Sequence, residues 1–552
     1  MAPRHLPSVW ALILLTGGAP AVAQDGGGTW ALTNARIETV TRGTIPRGTV
    51  IIRDGRIAAV GADVAIPADA RVVDLAGRTV SPGLIDLTAT TGLPAAVPAS
   101  QSAPVGAGGA GGAARPDGLD AERLVADELR AGASDLRAAR EAGVTALLVA
   151  PERGLFRGRS ALVAARDSLT REAVIRSPVA LHIGYQGVGG GTYPGSLLGV
   201  IAYQRQALYD ASRYGLLQDR WRSDPRSVQR PVRDPSLEAL VPVVRGEIPA
   251  FVDARNENEI RRAARLGREH GLKLVVVGAT EGWRALDALR GHGVVVSVNF
   301  PRPSEVTGWR YRGSLLRTPG DSSALEAAAR RVIERNPAAL HQAGIVFALA
   351  SGGTRPADFV SNLRKAVAAG LPAEAALQGA TIRAAELAGI GAALGSIESG
   401  KIANIVVSNG PLLADSARVS MVFVDGIRYE GASPPARTSS GGGAAEAGTA
   451  AVQFGGTWNI TTTSPQGANT GALTVTQQGT AFSGTMTSDL AGSAAVSDGK
   501  IEGRRVTWSV TLSFGGQSFT FNYAGEVDGN RLSGTVTAGE FGSFTFTGER
   551  RP

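Results

Sequence analysis

The sequence predicts an α/β protein: a TIM-like (β/α)8 barrel, flanked by a composite β-sandwich from both chain ends and followed by a small antiparallel all-β barrel. Short apolar runs alternate with Ala/Arg/Leu-rich helical stretches across residues 81–394. Period-two alternation between turn signals occupies 24–80 and returns at 395–430, whereas Thr, Ser, Gly and aromatic residues dominate 453–552. A chain of 552 residues is long enough for several such units.

The first 23 residues have the pattern of a secretory signal peptide. One early arginine precedes an apolar run at 9–15, and small residues at 21–23 supply a cleavage site. No later stretch offers about 18 consecutive apolar residues, so we expect an exported, periplasmic or secreted protein without a transmembrane segment. Because the chain has no cysteine, only His, Asp and Glu remain as metal ligands.

The charge pattern does not favour a nucleic-acid partner. The formal net charge is +8, and most basic residues are arginine. The densest run, 219–234, is either an anion-attracting patch or a solvated loop. It is accompanied by no recognition helix, zinc finger or aromatic-basic strand motif, so we expect no nucleic-acid binding.

Alternating segments near both chain ends predict the sandwich. Residues 30–61 alternate apolar and polar positions around an Asp54-Gly55 turn. The same pattern of alternation and turns returns at 395–410 and 417–431. Between them lie eight apolar runs, mostly separated by helical stretches, which predict a closed parallel barrel with its site at the carboxyl ends of the strands. These runs are 83–89, 144–150, 160–165, 179–184, 249–254, 272–279, 294–300 and 345–351. Little helix fits between the third and the fourth.

Low-complexity stretches help to set the domain boundaries. Residues 94–118 follow the first barrel strand and form either a flexible lid or a disordered insertion, and 431–452 form a Gly/Ser/Pro/Ala linker. The predicted organisation is a signal peptide (1–23), the two parts of the sandwich (24–80 and 395–430) around the barrel (81–394), the linker (431–452) and the C-terminal barrel (453–552).

The last hundred residues predict regularly spaced hairpins. FSGTMT at 482 and LSGTVT at 532 repeat one theme, and Gly or Asp-Gly turns bound the alternating strands. The opening Gly456-Thr457-Trp458 resembles that of a lipocalin- or avidin-like barrel. Aromatic residues of these strands form either the core or a pocket lining; they are Trp458, Trp508, Phe514, Phe519, Phe521 and Tyr523.

Three motifs in fixed order carry a more specific resemblance. VIIRDGRIAAVG begins at 50, VVDLAGRTVSPGLID at 72 and LGSIESGKIANIVV at 394. Together they resemble the amidohydrolase superfamily, in particular its imidazolonepropionase- and prolidase-like branch. The resemblance implies a distorted barrel with a flanking sandwich, and hydrolysis of carbon-nitrogen bonds other than peptide bonds with one or two divalent metals.

The metal ligands that the resemblance implies are largely replaced. Thr88-Ala89-Thr90 stands where the paired histidines of the first strand belong, and Asp253 stands at the histidine of the fifth strand. Gly278 and Gly352 occupy the positions of the sixth-strand histidine and the eighth-strand aspartate. Because hydroxyls and glycines cannot replace imidazole or carboxylate ligands, we predict no metal site and no cofactor.

The remaining polar residues at predicted strand ends define a candidate site. His182, Asp253 and Glu281 are the candidate acid-base group or weak mononuclear metal site, with a hydrogen-bonded core histidine as the alternative for His182. The candidate substrate-binding residues lie at or just past strand ends; they are Thr88, Thr90, Asn299, Arg302 and Ser351. The other mature histidines stand near helix ends, where imidazole suits the helix dipole; they are His270, His292 and His341.

Three hypotheses about function follow. A degenerate family member would bind a small molecule at the barrel mouth without turnover. An interaction subunit would form a homo-oligomer or join a histidine-complete amidohydrolase. An active hydrolase of amide, cyclic amide or peptide-like bonds would use a single or relocated metal, such as zinc. Whether the chain is an enzyme stays open at this point, because fold alone does not specify a reaction.

Overall fold

The computed structural model describes residues 28–89, 93, 118–130, 135–167, 171–185, 194–301, 322–431, 453–464, 467–488, 492–514, 517–537 and 543–551. The chain divides into two compact units, Met1–Ala436 and Arg437–Pro552. The predicted signal peptide and nearly all of the stretches at 94–118 and 431–452 lie outside the described residues.

The first unit contains eighteen described strands, and their bounds follow: β1 Trp30–Glu38, β2 Thr44–Arg53, β3 Arg56–Gly61, β4 Arg71–Asp74, β5 Thr79–Pro82, β6 Leu84–Ala89, β7 Val144–Val149, β8 Phe156–Arg159, β9 Ala161–Ala164, β10 Val174–Arg176, β11 Leu181–Ile183, β12 Ala250–Ala254, β13 Leu274–Gly278, β14 Gly293–Ser297, β15 Ala348–Ala350, β16 Ile405–Ser408, β17 Val419–Val424 and β18 Ile427–Glu430.

The described α-helices all belong to the first unit: α1 Asp135–Glu141, α2 Leu197–Ser223, α3 Pro235–Val244, α4 Glu257–His270, α5 Leu286–Leu289, α6 Ser322–Glu334, α7 Asn336–Gln342, α8 Pro356–Ala368, α9 Ala373–Gly379 and α10 Ile382–Leu387. Helix α4 shows how local sequence sets a boundary. The Asn256 side chain accepts from the N–H of Glu259, whose carboxylate reaches back to the N–H of Asn256, and Gly271 ends the helix at φ +62°.

Both ends of the first unit join in one eight-stranded sheet. Its order is β18-β17-β16-β5-β1-β2-β3, with β4 on β1, and the antiparallel pair of β5 and β16 links the two chain segments. Trp30 packs edge-on against Phe423 in the core that the segments share. The β2–β3 turn needs glycine at Gly55 (φ +74°), because a Cβ there would lie 2.9 Å from the carbonyl oxygen of Asp425.

The barrel strands form two sheets, of order β10-β9-β7-β6 and β15-β14-β13-β12-β11-β8. Strands β11 to β15 run parallel, as do β6 and β7. The expectation of an entirely parallel barrel is wrong at the third position, where β8 runs antiparallel to β11 and β9 runs antiparallel to β7. Residues 150–160 alone separate β7 from its partner β9, which is too short for the crossover that a parallel pair requires.

Alternate strand residues face the barrel interior. Phe251, Val275 and Val295 share one buried cluster, whereas Val252 and Val276 belong to the cluster that packs against helix α4. Alternate residues thus belong to different clusters, as expected for strands that are buried on both faces. It places the side chains that continue the inner rows, at and beyond the carboxyl ends of the strands, at the mouth of the barrel.

The second unit is a closed antiparallel barrel of eight strands. Their bounds are β19 Gly456–Ser464, β20 Gly467–Gln478, β21 Ala481–Ser488, β22 Gly492–Glu502, β23 Arg505–Phe514, β24 Gln517–Asp528, β25 Arg531–Thr537 and β26 Ser543–Arg550. Trp458, Trp508 and Tyr523 are buried in its core and Phe521 packs against them, while the side chains of Phe514 and Phe519 lie outside the description. The predicted all-β barrel is confirmed.

Candidate functional site at the barrel mouth

Two side chains of β6 connect the edges of the two barrel sheets. The Oδ1 atom of Asp86 accepts from the N–H of Ser351 at 2.9 Å and from the N–H and hydroxyl of Thr88 at 3.1 and 3.2 Å. The Thr88 hydroxyl oxygen in turn accepts from the N–H of Gly352 at 2.7 Å. A buried carboxylate and a hydroxyl therefore hold β6 beside the end of β15.

An ion pair spans the mouth from β8 to β12. The Nη1 atom of Arg157 lies 2.7 Å from Oδ2 of Asp253, and the arginine side chain is only 10% exposed. The guanidinium passes directly over Gly184, where a Cβ would lie 2.1 Å from Nη2. Glycine at this position is thus a steric requirement of the ion pair.

His182 lies buried beside this pair. It is aligned with Phe251 across the β11–β12 pair, and the two ring centroids are 5.4 Å apart. Burial lowers the pKa of His182 to about 4; Asp253 opposes this shift, and the positive charge of Arg157 adds to it. The imidazole is therefore neutral near pH 7, and its buried Nε2 atom has no hydrogen-bond partner within the described part of the chain.

Asn299 and Glu281 follow the ends of neighbouring strands but have different environments. The amide of Asn299 donates to the carbonyl of Gly352 at 3.5 Å, while its buried Oδ1 has no partner among the residues described. The carboxylate of Glu281 accepts from the N–H of Glu257 at 3.0 Å, in the first turn of α4. A carboxylate suits that position because it faces the positive end of the helix dipole.

The predicted site residues thus form two groups. Thr88, Ser351 and Asn299 meet around Gly352 at the β6–β15 junction, whereas His182 lies within electrostatic range of Asp253 and Arg157. Glu281 bonds to α4, while Thr90 and Arg302 lie outside the described residues.

Sequence reasoning missed Asp86 and Arg157. Asp86 is part of the quoted VSPGLID motif, yet it was assigned no role. Strand β8 reads FRGR, and because it contains both Arg157 and Arg159, the sequence did not single out Arg157.

The other histidines lie away from the mouth residues. His270 is the last residue of α4 and makes an edge contact with the Tyr209 ring at 4.5 Å. His341 is exposed in the last turn of α7, and His292 lies in the turn before β14. Over the described ranges, no group of three or more His, Asp or Glu side chains is arranged to hold a metal ion. No described helix is long and apolar enough to cross a membrane.

Comparison with solved structures finds one amidohydrolase with the same fold and several weaker matches. An amidohydrolase from Thermotoga maritima matches with a TM-score of 0.59 and 22% identity, over 72% of this chain and 99% of that one. A Xaa-Pro dipeptidase with bound methionine is 18% identical, over 73% of this chain and 100% of its own, with a TM-score of 0.44. A dihydropyrimidinase from Brevibacillus agri is 14% identical, over 73% and 95% of the two chains, with a TM-score of 0.40.

The barrel and its appended sheet define a protein with the fold of the amidohydrolases. Residues 247–428 match the sequence profile of the amidohydrolase family. This match and the shared fold support the resemblance to the amidohydrolase superfamily that the three motifs predicted. A search of the curated proteins finds no match.

Proposed function

We propose that this chain is an exported member of the amidohydrolase superfamily that lacks the superfamily's metal catalysis and binds a small molecule at the barrel mouth. One observation carries the proposal: the polar groups at the mouth are committed to one another. Thr88 and Asp86 bond to the β15 end, and Asp253 is paired with Arg157. These interactions occupy the carboxylate and hydroxyl oxygens that a metal ion would need as ligands.

The potential metal ligands among the described side chains do not suit a divalent cation. A catalytic zinc ion takes three protein ligands and an open position, and those ligands are imidazole, carboxylate or thiolate. Of the described side chains at the mouth, His182 offers one free nitrogen, and the carboxylate nearest to it already neutralises a guanidinium. A cation beside Arg157 would also be repelled by its charge.

The unpaired polar atoms indicate what the mouth would bind. Nε2 of His182 and Oδ1 of Asn299 are both buried without a described partner. Such atoms are costly unless a ligand or water satisfies them. A small polar molecule that reaches these groups would supply the hydrogen bonds that they lack.

The competing candidate is an active hydrolase of carbon-nitrogen bonds that uses a single or relocated metal. The neutral His182 beside Asp253 favours it, because an imidazole and a carboxylate are both zinc ligands. A third arrangement, in which the chain joins a histidine-complete homologue, predicts that the two proteins purify together.

The metal content of the mature chain distinguishes the first two candidates. The protein is purified from its native compartment without a histidine tag, and its zinc, manganese and iron are measured by mass spectrometry. We expect substoichiometric metal and no chelator-sensitive turnover of dipeptide or cyclic amide substrates. Near-stoichiometric metal that is lost in His182→Ala and Asp253→Ala, but kept in the exposed control His341→Ala, would overturn the proposal. Mass analysis of the mature N-terminus tests export.

A further inference from the structure

A cavity with a volume of about 430 Å³ lies outside the barrel interior, between helices α2 and α4. We call it the arginine pocket, and its polar lining includes Tyr185, Gln204, Arg205, Arg261, Arg262 and Arg265. The three arginines of α4 recur at spacings of one to four residues together with Asn258, so they share one face of that helix. Nothing in the proposed role of the mouth uses this cavity.

Two arginines of the arginine pocket are neutralised by ion pairs. Arg205 pairs with Glu269 at 2.8 Å, and Arg261 pairs with Glu257 and Asp287 at 3.1 and 2.8 Å.

Arg262 and Arg265 differ from these two arginines. The Arg262 guanidinium lies 5.2 Å from the centre of the Tyr185 ring. Neither Arg262 nor Arg265 has a carboxylate partner in the described ranges, and no described acidic side chain lines the cavity. Two neighbouring guanidinium groups without counter-charges favour an anion in the space beside them.

Two neutral groups in the arginine pocket also lack partners. Gln204 is 1% exposed, and its Nε2 donates to the carbonyl of Gly184 at 2.7 Å, but its buried Oε1 has no partner among the described residues. The buried Tyr185 hydroxyl is likewise unpaired within that part of the chain. Burial raises the pKa of Tyr185, so its phenol stays protonated and can donate. The cavity therefore combines cations and an O–H donor with one amide acceptor that needs a donor.

We propose that the arginine pocket binds the phosphate group of a small molecule. The planar guanidinium fork matches phosphate oxygens, and the Tyr185 hydroxyl adds a donor. Near neutral pH, inorganic phosphate retains at least one O–H group for the Gln204 oxygen, and a phosphate ester with a neighbouring hydroxyl supplies the same donor. A simple carboxylate has no such group, which is why phosphate chemistry fits better than acetate.

The test is calorimetric titration of the purified full chain with inorganic phosphate, glycerol phosphate and acetate. We expect saturable binding of at least one phosphate compound and weaker binding of acetate. The double variant Arg262→Gln/Arg265→Gln should weaken phosphate binding by about tenfold or more, because two charge-assisted contacts are lost. Arg268→Gln is the matched control, since Arg268 is exposed on the same helix but does not line the cavity.

The possible results separate the ligand sources and decide the proposal. Tighter binding of inorganic phosphate assigns the free ion, and tighter binding of glycerol phosphate assigns a phosphate ester. The proposal is overturned if neither compound binds saturably, if the double variant binds as the parent does, or if acetate binds as tightly. Circular dichroism verifies that each variant is folded, and the metal measurement on the barrel mouth is unaffected by any of these outcomes.

Discussion

The barrel mouth and the arginine pocket both include residues that follow the carboxyl end of β11, but they differ in whether their charged side chains are paired. At the mouth, Arg157 is neutralised by Asp253, and Asp86 accepts three hydrogen bonds from its neighbours. In the arginine pocket, Arg262 and Arg265 have no described counter-charge. The difference indicates that internally paired groups hold the frame together, whereas unpaired groups are available to a ligand. Substitutions should therefore destabilise the mouth and leave the stability around the arginine pocket unchanged.

The largest effect is expected at Asp86. Asp86→Ala leaves the buried N–H of Ser351 without an acceptor, so the free energy of unfolding should fall by about 3 kcal/mol. Asp86→Asn keeps an acceptor oxygen and should lose clearly less. Urea denaturation of the three proteins measures the difference. A loss of stability equal in both variants would mean that charge, and not the hydrogen bonds, holds β6 against β15.

His182 should make the stability of the first unit depend on pH. Its pKa falls from 6.5 to about 4 on folding, so below pH 6.5 the unfolded chain binds a proton that the folded chain rejects. Stability is fully present above pH 6.5 and is lost as the pH falls; at pH 5 the loss is about 2 kcal/mol.

Unfolding measured at pH 7 and pH 5 tests this dependence on His182. His182→Gln should remove that part of the pH dependence, and the exposed control His341→Gln should retain it. An unchanged dependence in His182→Gln would show that another group is responsible.

Breaking the ion pair at the mouth should have a moderate effect. Arg157→Met leaves Asp253 without its counter-charge, and because that carboxylate is 33% exposed, we expect a loss of about 1 to 2 kcal/mol. Adding Asp253→Leu should recover part of the loss, since the unpaired charge disappears. A double-mutant cycle on denaturant unfolding measures the coupling. Purely additive losses would contradict the assignment of the pair.

The smallest effect is expected in the arginine pocket. Arg265 is exposed and lacks a described partner, so Arg265→Gln should change the unfolding free energy by less than about 0.5 kcal/mol. Removal of one of several like charges would, if anything, raise stability slightly. A thermal melt beside that of Arg157→Met makes the comparison direct. A loss as large as that of Arg157→Met would remove the distinction between the two regions.

Much of the fold was predictable because it rests on local pattern. Alternation predicted β1 to β3 and the C-terminal hairpins, and apolar runs located the barrel strands. The antiparallel orientation of β8 and β9 was not predicted, because an apolar run in the sequence does not indicate whether its strand is parallel or antiparallel to its neighbour. The short connection at 150–160, between β7 and β9, was the available clue.

The candidate site was less predictable, because its contacts join distant segments. The sequence placed His182 and Asp253 on adjacent strands, but it gave no reason to pair Arg157 with Asp253. Likewise, Glu281 followed a barrel strand as expected, yet its carboxylate bonds to the start of α4. Side-chain direction past a strand end depends on the neighbours that pack there.

The sequence by itself determined the amidohydrolase-like motifs, the secondary-structure periodicity and which ligand positions contain Thr or Gly, because each is a property of residue type at a given spacing. Tertiary structure alone decided that Asp86 and Thr88 bond to the β15 end and that Gln204, Arg262 and Arg265 share a cavity. Hydrogen bonds and charge pairs act over a few ångströms of space. Residues far apart along the chain are therefore matched only after the barrel and its helices have packed.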